Sequence, residues 1–348
     1  MRTRQLAPHS QPSARDAAFP ASRRQCLQTL GALWAASALP LHAQTPAASD
    51  WPARPVRFVL GSAAGDPNDV TLRRLLQAIA PELNNTQSIV DNKPGAGGIL
   101  AHQEVLRSPA DGYSVLFGNA AMTILPHISK KLPYNPQTDF VPVCFSGMAA
   151  VGLAIPASRP EKTLKEWLAW AKQQKGKLNY GSGGNGSVPH LYGYQISDDF
   201  DLEATHIAQR GTTPVLRDLA AGTIDYTVLD ILSLRAQLAN GQLRLLAVTG
   251  TERSRYVPDT PTFKELGVEG FERMGWNAWY VKAGTPQAYI DKLANANNKT
   301  LQRPEWVAFR DQFWIDWKPM SQAEIVAQVK RETEAWGKLV KKVGYTAD

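Results

Sequence analysis

The chain has few cysteines, and this shortage limits how its fold can be stabilised. Its 348 residues include 2 cysteines. Cys26 lies in a segment at the N-terminus that is expected to be removed, so Cys144 is left alone and no internal disulfide is expected. Cys144 lies in the apolar run 141–145, and we interpret it as a small buried hydrophobic residue.

Metal-binding and nucleic-acid-binding patterns are also missing. The 6 histidines include no H-x-x-x-H pair, so the sequence predicts no metal site and no cofactor. There is no cluster of Lys and Arg, which argues against a nucleic-acid partner. Of 38 basic and 31 acidic residues, five arginines and one acid precede residue 44, which leaves 33 and 30. The formal net charge of +7 therefore comes largely from the N-terminus.

The N-terminal segment has the pattern of an export signal. An uncharged stretch at 26–41 follows a basic segment and precedes small residues that end at Ala43, which indicates cleavage near Ala43. The stretch is too short to cross a bilayer of about 30 Å as a stable helix. Arg23 and Arg24 resemble a twin-arginine signal, with the general secretory route and a retained anchor as alternatives. A periplasmic location is expected.

The rest of the sequence alternates β-branched runs with helical patterns. This alternation predicts an α/β fold with largely parallel sheets. The length favours two lobes. The predicted strands are 56–60, 87–91, 114–118, 140–145, 178–181, 204–207, 224–229, 243–249 and 277–282. The predicted helices are 69–83, 98–107, 286–301, 321–343 and four that begin near Thr163, Pro189, Thr213 and Ser233.

The order of these elements predicts two crossovers between the lobes. Strand 277–282 should return the chain to the first lobe, which creates a hinge and a central ligand cleft. We predict an export signal at 1–43, a linker at 44–50, a first lobe at 51–148 and 277–348, and a second lobe at 149–276.

Four glycine-rich turns lie where predicted strands lead into helices. Glycine allows backbone N–H groups to approach a ligand closely, and the N–H groups at a helix N-terminus are unpaired and suit an anion. Because ligands bind outside the carboxyl ends of parallel strands, the four turns should face one cleft. They predict a carboxylate trap. The turns are 61–69, 92–98, 181–187 and 211–214.

Three side chains near these turns are further candidates for ligand contacts. Asp69 and Asp230 could accept hydrogen bonds from hydroxyl or amine groups of a ligand. Trp276 precedes the return strand and is a candidate to stack on a planar ligand group.

Two other hypotheses, nucleotide binding and serine hydrolysis, compete with the carboxylate trap. A phosphate loop needs Lys and then Ser or Thr after its last glycine, whereas Lys93 precedes the glycines and Ile99 follows them. An exported serine hydrolase would use Ser182, His190 and Asp230. The nucleophile elbow needs glycine two residues before the serine, and Tyr180 stands there, so the hydrolase is only the alternative hypothesis.

Seven motifs in order along the chain resemble one known family. The sequence is similar to the tripartite tricarboxylate transporter receptor family, also called the Bug family, from residue 51 to the C-terminus. The motifs lie at 51–57, 92–98, 111–113, 131–134, 177–180, 245–249 and 283–286.

The resemblance implies a periplasmic solute-binding protein with a two-lobed, type II-like fold. It implies a small carboxylate ligand, mono- or dicarboxylate and aliphatic or aromatic, no catalysis, and transfer to the membrane permease subunits of a tripartite transporter. A monomer is expected, and a sensor or adaptor role is the alternative use of the same fold. By position, the ligand-binding candidates are Ala63, Gly65, Asp69, Ser182, Asn185, Gly186, His190, Gly211 and Asp230.

The chain departs from the family pattern in three turns. Asp66 and Pro67 follow Gly65, where the family usually has a glycine pair, and this adds a negative charge and removes an N–H donor. Val188-Pro189 and 208–210 also differ from the family pattern. The ligand is therefore expected to differ from the commoner dicarboxylates and amino acids.

Overall fold

Two five-stranded sheets organise the protein in a computed structural model that describes residues 50–346. The predicted export signal and most of the linker lie outside the described residues. The first sheet has the order β2-β1-β3-β10-β4. Its strands are β1 (Val56–Leu60), β2 (Ser88–Asn92), β3 (Ser114–Asn119), β4 (Phe140–Ala149) and β10 (Gly275–Lys282).

The second sheet repeats this arrangement, with the order β7-β6-β8-β5-β9. In each sheet three strands run parallel, and the strand next to them is antiparallel to both of its neighbours. The strands are β5 (Val151–Pro156), β6 (Asn179–Ser182), β7 (Thr205–Ala208), β8 (Tyr226–Asp230) and β9 (Leu243–Val248).

The chain passes between the sheets twice, and this confirms the predicted two-lobed fold. It leaves the first sheet after β4 and returns from β9 to β10. The antiparallel strands are β10 in the first sheet and β5 in the second. Each is the first strand that the chain forms after a crossover. The domain boundaries at 148/149 and 276/277 stay predictions.

Helices follow most of the strands, and several begin as predicted. Thr163 and Glu166 form the predicted capping box. The helices are α1 (Pro67–Ile79), α2 (Ile99–Arg107), α3 (Ala121–Ile128), α4 (Leu164–Gln173), α5 (Val188–Asp199), α6 (Thr212–Ala220), α7 (Ile231–Ala239), α8 (Gln287–Leu301), α9 (Pro304–Phe313) and α10 (Gln322–Val343).

The C-terminal helix α10 contacts both lobes. His127 of α3 hydrogen-bonds through Nε2 to the Thr333 carbonyl at 2.8 Å. Near the C-terminal end of α10, Lys342 pairs with Asp199 of α5. The end of the chain thus ties a helix of the first lobe to a helix of the second.

Cys144 is sealed within the first sheet. It faces Trp279 of β10 in the strand register and is 1% exposed. Burial raises the pKa of its thiol well above the ordinary value, against a backbone hydrogen bond from Trp279 that lowers it. The thiol therefore remains protonated and unreactive in the folded chain, in agreement with its interpretation as a buried hydrophobic residue.

Within residues 50–346, no helix has both the length and the apolar composition needed to cross a membrane. The same residues hold no group of three or more His, Cys, Asp or Glu side chains placed to bind a metal ion.

Candidate ligand-binding cleft

The first turn, between β1 and α1, is held by Asp69. Its carboxylate accepts hydrogen bonds from the Gly65 N–H at 2.9 Å, from Arg73 Nε at 3.0 Å and from Asn92 Nδ2 at 3.0 Å. Burial raises the pKa of Asp69, but these bonds outweigh it and the pKa is lowered overall. Asp69 is therefore ionised and stabilises the turn. Both of its carboxylate oxygens already accept hydrogen bonds from the protein.

The second turn leads into α2 through four consecutive residues with positive φ. The φ angles of Gly95, Ala96, Gly97 and Gly98 are 122°, 49°, 63° and 101°. Gly97 also approaches the second lobe closely, since a Cβ there would lie 2.7 Å from the Asn185 carbonyl oxygen. Glycine is needed at this point both for its backbone conformation and for the contact between the lobes.

The third turn, between β6 and α5, rests on two histidines, His190, which is buried, and His206, which is partly buried. Ser182 Oγ hydrogen-bonds to His206 Nε2 at 2.7 Å and accepts from the Gly184 N–H at 3.2 Å. The Gly186 N–H donates to His190 Nδ1 at 3.3 Å, and the His190 and His206 rings stack at 4.1 Å.

The electrostatics of this pair fix its protonation state. Burial lowers the pKa of His190 to about 3, with a smaller contribution from His206, and lowers the pKa of His206 to about 4. Both rings are neutral at pH 7, so the turn rests on hydrogen bonds rather than on charge.

The fourth turn, before α6, meets the first turn across the cleft. Thr213 Oγ1 donates to Asp66 Oδ1 at 3.5 Å, and a Cβ on Gly211 would lie 2.9 Å from Asp66 Oδ2. Asp66 with Gly211 and Gly97 with Asn185 are thus two of the contacts between the lobes.

All four glycine turns line one cavity of about 1280 Å³ between the sheets. Five of the ten predicted site residues contribute to its lining: Ala63, Asn185, Gly211, Asp230 and Trp276. The other five lie behind this lining and shape the turns: Gly65, Asp69, Ser182, Gly186 and His190. The turns meet in one place, as expected, but half of the named residues do not line the cavity. These residues instead hold the backbone of the turns in position.

Three helix N-termini open into this cavity without a side-chain cap. The N-cap residues of α1, α2 and α6 are Asp66, Gly98 and Gly211, and no side chain of these residues caps its own helix. By contrast, Asp230 caps α7 by accepting from the Ser233 N–H at 2.8 Å. Uncapped N-termini leave backbone donors and a positive partial charge directed at the cleft.

Three buried polar atoms in the lining make no hydrogen bond within the described chain. They are Thr71 Oγ1, Ser146 Oγ and Trp276 Nε1, on side chains from α1, β4 and β10. These residues are 8%, 5% and 5% exposed. A buried polar atom without a partner is costly, so such atoms mark positions where a ligand or water completes the bonding.

The sequence analysis did not identify Thr71 or Ser146. Thr71 lies one turn into α1, where a polar residue reads as an ordinary helix position. Ser146 follows the predicted end of the strand at residue 145, whereas β4 continues to Ala149. Register between β4 and β10 was the missing information, because it places Ser146 beside the Trp276-Asn277 segment.

Charge in the lining is mixed. The charged lining residues are Lys130, Lys131 and Arg210 on the basic side, and Asp66 and Asp230 on the acidic side. Burial raises the pKa of Asp230, opposed by hydrogen bonds from Ser233, and it also raises the pKa of Asp66. The cavity therefore favours an anion, but two carboxyl groups already border it.

The residues of the alternative hydrolase hypothesis are not joined as a triad. Among the described residues, no hydrogen bond links Ser182, His190 and Asp230 to one another. Ser182 is 0% exposed and bonds to His206 instead, while the Asp230 carboxylate caps α7. The structure therefore places Ser182 as a support of the turn.

A cleft between two α/β lobes, lined by backbone donors from both, defines a solute-binding protein. Residues 72–345 match the family described as tripartite tricarboxylate transporter family receptor. The chain belongs to this family and is one of its solute-binding receptors, as the resemblance implied.

Related proteins agree with this assignment. A UPF0065 protein of Bordetella pertussis is 30% identical over 327 residues, which cover 93% of this chain and 98% of that protein. The solved structure of the periplasmic binding protein BugD is 28% identical, with a TM-score of 0.80 over 86% of this chain and 100% of BugD. An R. palustris protein solved with adipate is 26% identical, with a TM-score of 0.81 over 85% of this chain and 99% of that protein.

Proposed function

We propose that the protein is a periplasmic receptor that closes on a small carboxylate and delivers it to the membrane permease of a tripartite transporter, without a chemical step. The observation that carries the proposal is the convergence of three helix N-termini on one cavity, none of them capped by the side chain of its own N-cap residue. The relative solved with adipate supports a carboxylate ligand, and BugD, described as periplasmic, supports the location.

The physical basis is anion binding by backbone groups. A helix N-terminus carries roughly half a positive elementary charge, and its unpaired N–H groups donate to an anion without a salt bridge. Arg210, together with Lys130 and Lys131, adds positive charge around the same cavity. Thr71, Ser146 and Trp276 then supply the side-chain bonds that orient the rest of the ligand.

Closure brings the ligand into contact with both lobes. Gly97 and Asn185 touch across the cleft, so a larger residue at 97 should hold the lobes apart. We expect the N-terminal segment to direct export and cleavage near Ala43, and the mature protein to act as a monomer.

The test is ligand binding by the full chain and by two glycine variants. A panel of small carboxylates should raise the melting temperature, since a ligand at 100 times its Kd adds about 2.7 kcal/mol of stability. Gly97→Ala should weaken binding at least about tenfold, because its Cβ would meet the Asn185 carbonyl oxygen. Calorimetric titration gives the affinities.

Gly241→Ala is the matched control. Gly241 has a φ of 66°, close to the 63° of Gly97, and a Cβ there would meet no atom within 4 Å. Both variants carry the same backbone strain, so they should lose similar stability, but Gly241→Ala should bind like the wild type. Equal binding by both variants would contradict closure at Gly97, and no thermal shift with any carboxylate would contradict the proposed function.

A further inference from the structure

The side chain of Asp66 crosses the cleft and does not cap its own helix. Aspartate is among the preferred N-cap residues because its carboxylate can accept from the first turn. Asp66 is the N-cap of α1, yet it makes no such bond. Its carboxylate accepts a hydrogen bond from the backbone N–H of Ala63 in its own turn and lies 3.5 Å from Thr213 Oγ1, 147 residues further along the chain and in the other lobe.

In the second lobe, the Asp66 carboxylate lies at the N-terminus of α6, which has no acidic residue of its own there. Helix α6 has nine residues, no side-chain cap and no acid in its first turn. Gly211, its N-cap, has a φ of 105°, and the place where a Cβ would project is taken by Asp66 Oδ2. The positive end of α6 therefore faces a carboxylate from the opposite lobe.

This carboxylate is part of the cavity wall and is 8% exposed. The nearest acid that acts on it is Asp69, whose own charge is held by Arg73 and Asn92. The basic lining residues Lys131 and Arg210 form no ion pair with Asp66 among the contacts of the described residues. Asp66 thus presents a hydrogen-bond acceptor to the inside of the cleft.

We propose that Asp66 is a specificity-determining residue that occupies one anion position of the cleft with the protein's own carboxylate. The ligand then carries a single carboxylate, bound by the remaining backbone donors, and a hydrogen-bond donor rather than a second carboxylate at its other end. This inference rests on the proposed function.

Two like charges repel strongly at close range in a partly desolvated site, whereas a carboxylate next to an amide N–H gains a hydrogen bond. A dicarboxylate would have to place its second charge beside Asp66 or leave part of the lining uncontacted. The receptor should therefore discriminate between a dicarboxylate and the monoamide of the same length and shape.

Matched ligand pairs test this discrimination by calorimetric titration of the full chain at pH 7.5. The pairs are succinate with succinamate, adipate with adipamate, and terephthalate with 4-carbamoylbenzoate. The wild type should bind the monoamide at least about tenfold more tightly than the dicarboxylate in each pair that it binds. Asp66→Asn should reduce this ratio to about two or less, because it removes the charge and keeps the shape.

Two further variants complete the design. Asp66→Gly also removes the charge, and glycine is tolerated at an N-cap, so it replaces Asp66→Asn if that variant does not fold. Asp111→Asn removes the same charge from an exposed pair with Arg54, and it should keep the wild-type preference.

The outcomes separate the two proposals. Equal or tighter binding of the dicarboxylate by the wild type overturns the role of Asp66 and leaves the receptor function intact. A preference for the monoamide that survives in both Asp66 variants also overturns it. Absence of binding by either member of every pair and by the wider carboxylate panel overturns the proposed function, and the inference with it.

Discussion

At the scale of the residue, two acids three positions apart in the first turn have different tasks. Asp69 folds back on Gly65, Arg73 and Asn92, whereas Asp66 reaches Thr213 across the cleft. The sequence analysis named Asp69 as a ligand acceptor and Asp66 only as a departure from the family pattern. Side-chain direction decides between such roles, and it depends on partners that are distant in sequence.

The same limit applies to the site as a whole. Glycine turns were recognisable because strand, small residues and helix follow one another directly along the chain. Ser182 and His190 could not be separated from ligand-contacting residues, because their partner His206 lies on a different strand. Local signals thus predicted where the site is, and long-range contacts decided which side chains line it.

His102 should make stability depend on pH. It is 3% exposed, hydrogen-bonds to Tyr134, and burial lowers its pKa to about 3. In the unfolded chain His102 binds a proton with a pKa near 6.5, whereas in the folded chain it stays neutral at this pH. The free energy of unfolding therefore falls as the pH drops below about 6.5. Between pH 7 and pH 5 this residue should account for about 2 kcal/mol of lost unfolding free energy.

Urea unfolding of His102→Gln and Tyr134→Phe at pH 7 and pH 5 measures this contribution. His102→Gln should lose that part of the pH dependence. Tyr134→Phe removes the hydrogen bond but leaves the imidazole buried, so its stability should be lower while its pH dependence stays near the wild type. The same slope in His102→Gln as in the wild type would exclude this residue as the cause.

At the scale of the element, regular patterns were predictable and irregular ones were not. Most strands were found within one or two residues, because β-branched runs end at glycine or at a polar turn. Three elements were missed: β5, α3 and α9. The composition of each differs from the local sequence patterns that predict strands and helices.

Their compositions explain the omissions. Every residue of β5 is buried, and its partners β8 and β9 come much later in the chain, so it shows no alternation. Helix α3 contains Pro126 and has six buried residues among eight, which removes the amphipathic period. Helix α9 begins with Pro304, and its C-cap is Trp314 in the left-handed region, without a glycine stop signal.

The capping box of α4 was read from the sequence, and its contribution can be measured. Thr163 Oγ1 accepts from the Glu166 N–H, and Glu166 Oε2 accepts from the Thr163 N–H, both at 3.2 Å. Thr163→Ala should lower the unfolding free energy by about 1 kcal/mol. Thr223→Ala, at an exposed position outside the helices, should change it by less than about 0.5 kcal/mol. Equal effects in chemical denaturation would mean that the cap contributes nothing specific.

At the scale of the whole molecule, the two crossovers and the helix α10 set how the lobes can move. The two crossovers join the lobes covalently, while α10 contacts α3 of the first lobe through His127 and α5 of the second through Asp199. The sequence predicted the crossovers from the order of its elements. It could not predict the tie between α3 and α10, since α3 itself was missed.

Closure should be visible in the fluorescence of Trp276. Its indole lines the cavity at the return crossover, with Nε1 unbonded within the described chain. Ligand binding should change the emission of the wild type, because the ligand alters the polarity around this ring. Trp276→Phe should lose most of the change. Trp306→Phe, at a buried residue of α9 outside the lining, should keep it.

Binding of each variant by calorimetry must accompany this measurement, so that a lost signal is not confused with lost affinity. A full ligand response in Trp276→Phe that still binds would show that the indole does not sense the cleft.

The burial of Cys144 makes lobe motion accessible to site-specific labelling. Within residues 50–346 this is the one thiol, and in the folded state it is shielded from solvent and protonated. Cysteines introduced on the outer surface of each lobe would then react with maleimide dyes while the native residue stays silent. In the protein without the N-terminal segment that carries Cys26, a donor and an acceptor dye attached in this way would report opening and closing of single molecules with no cysteine removal.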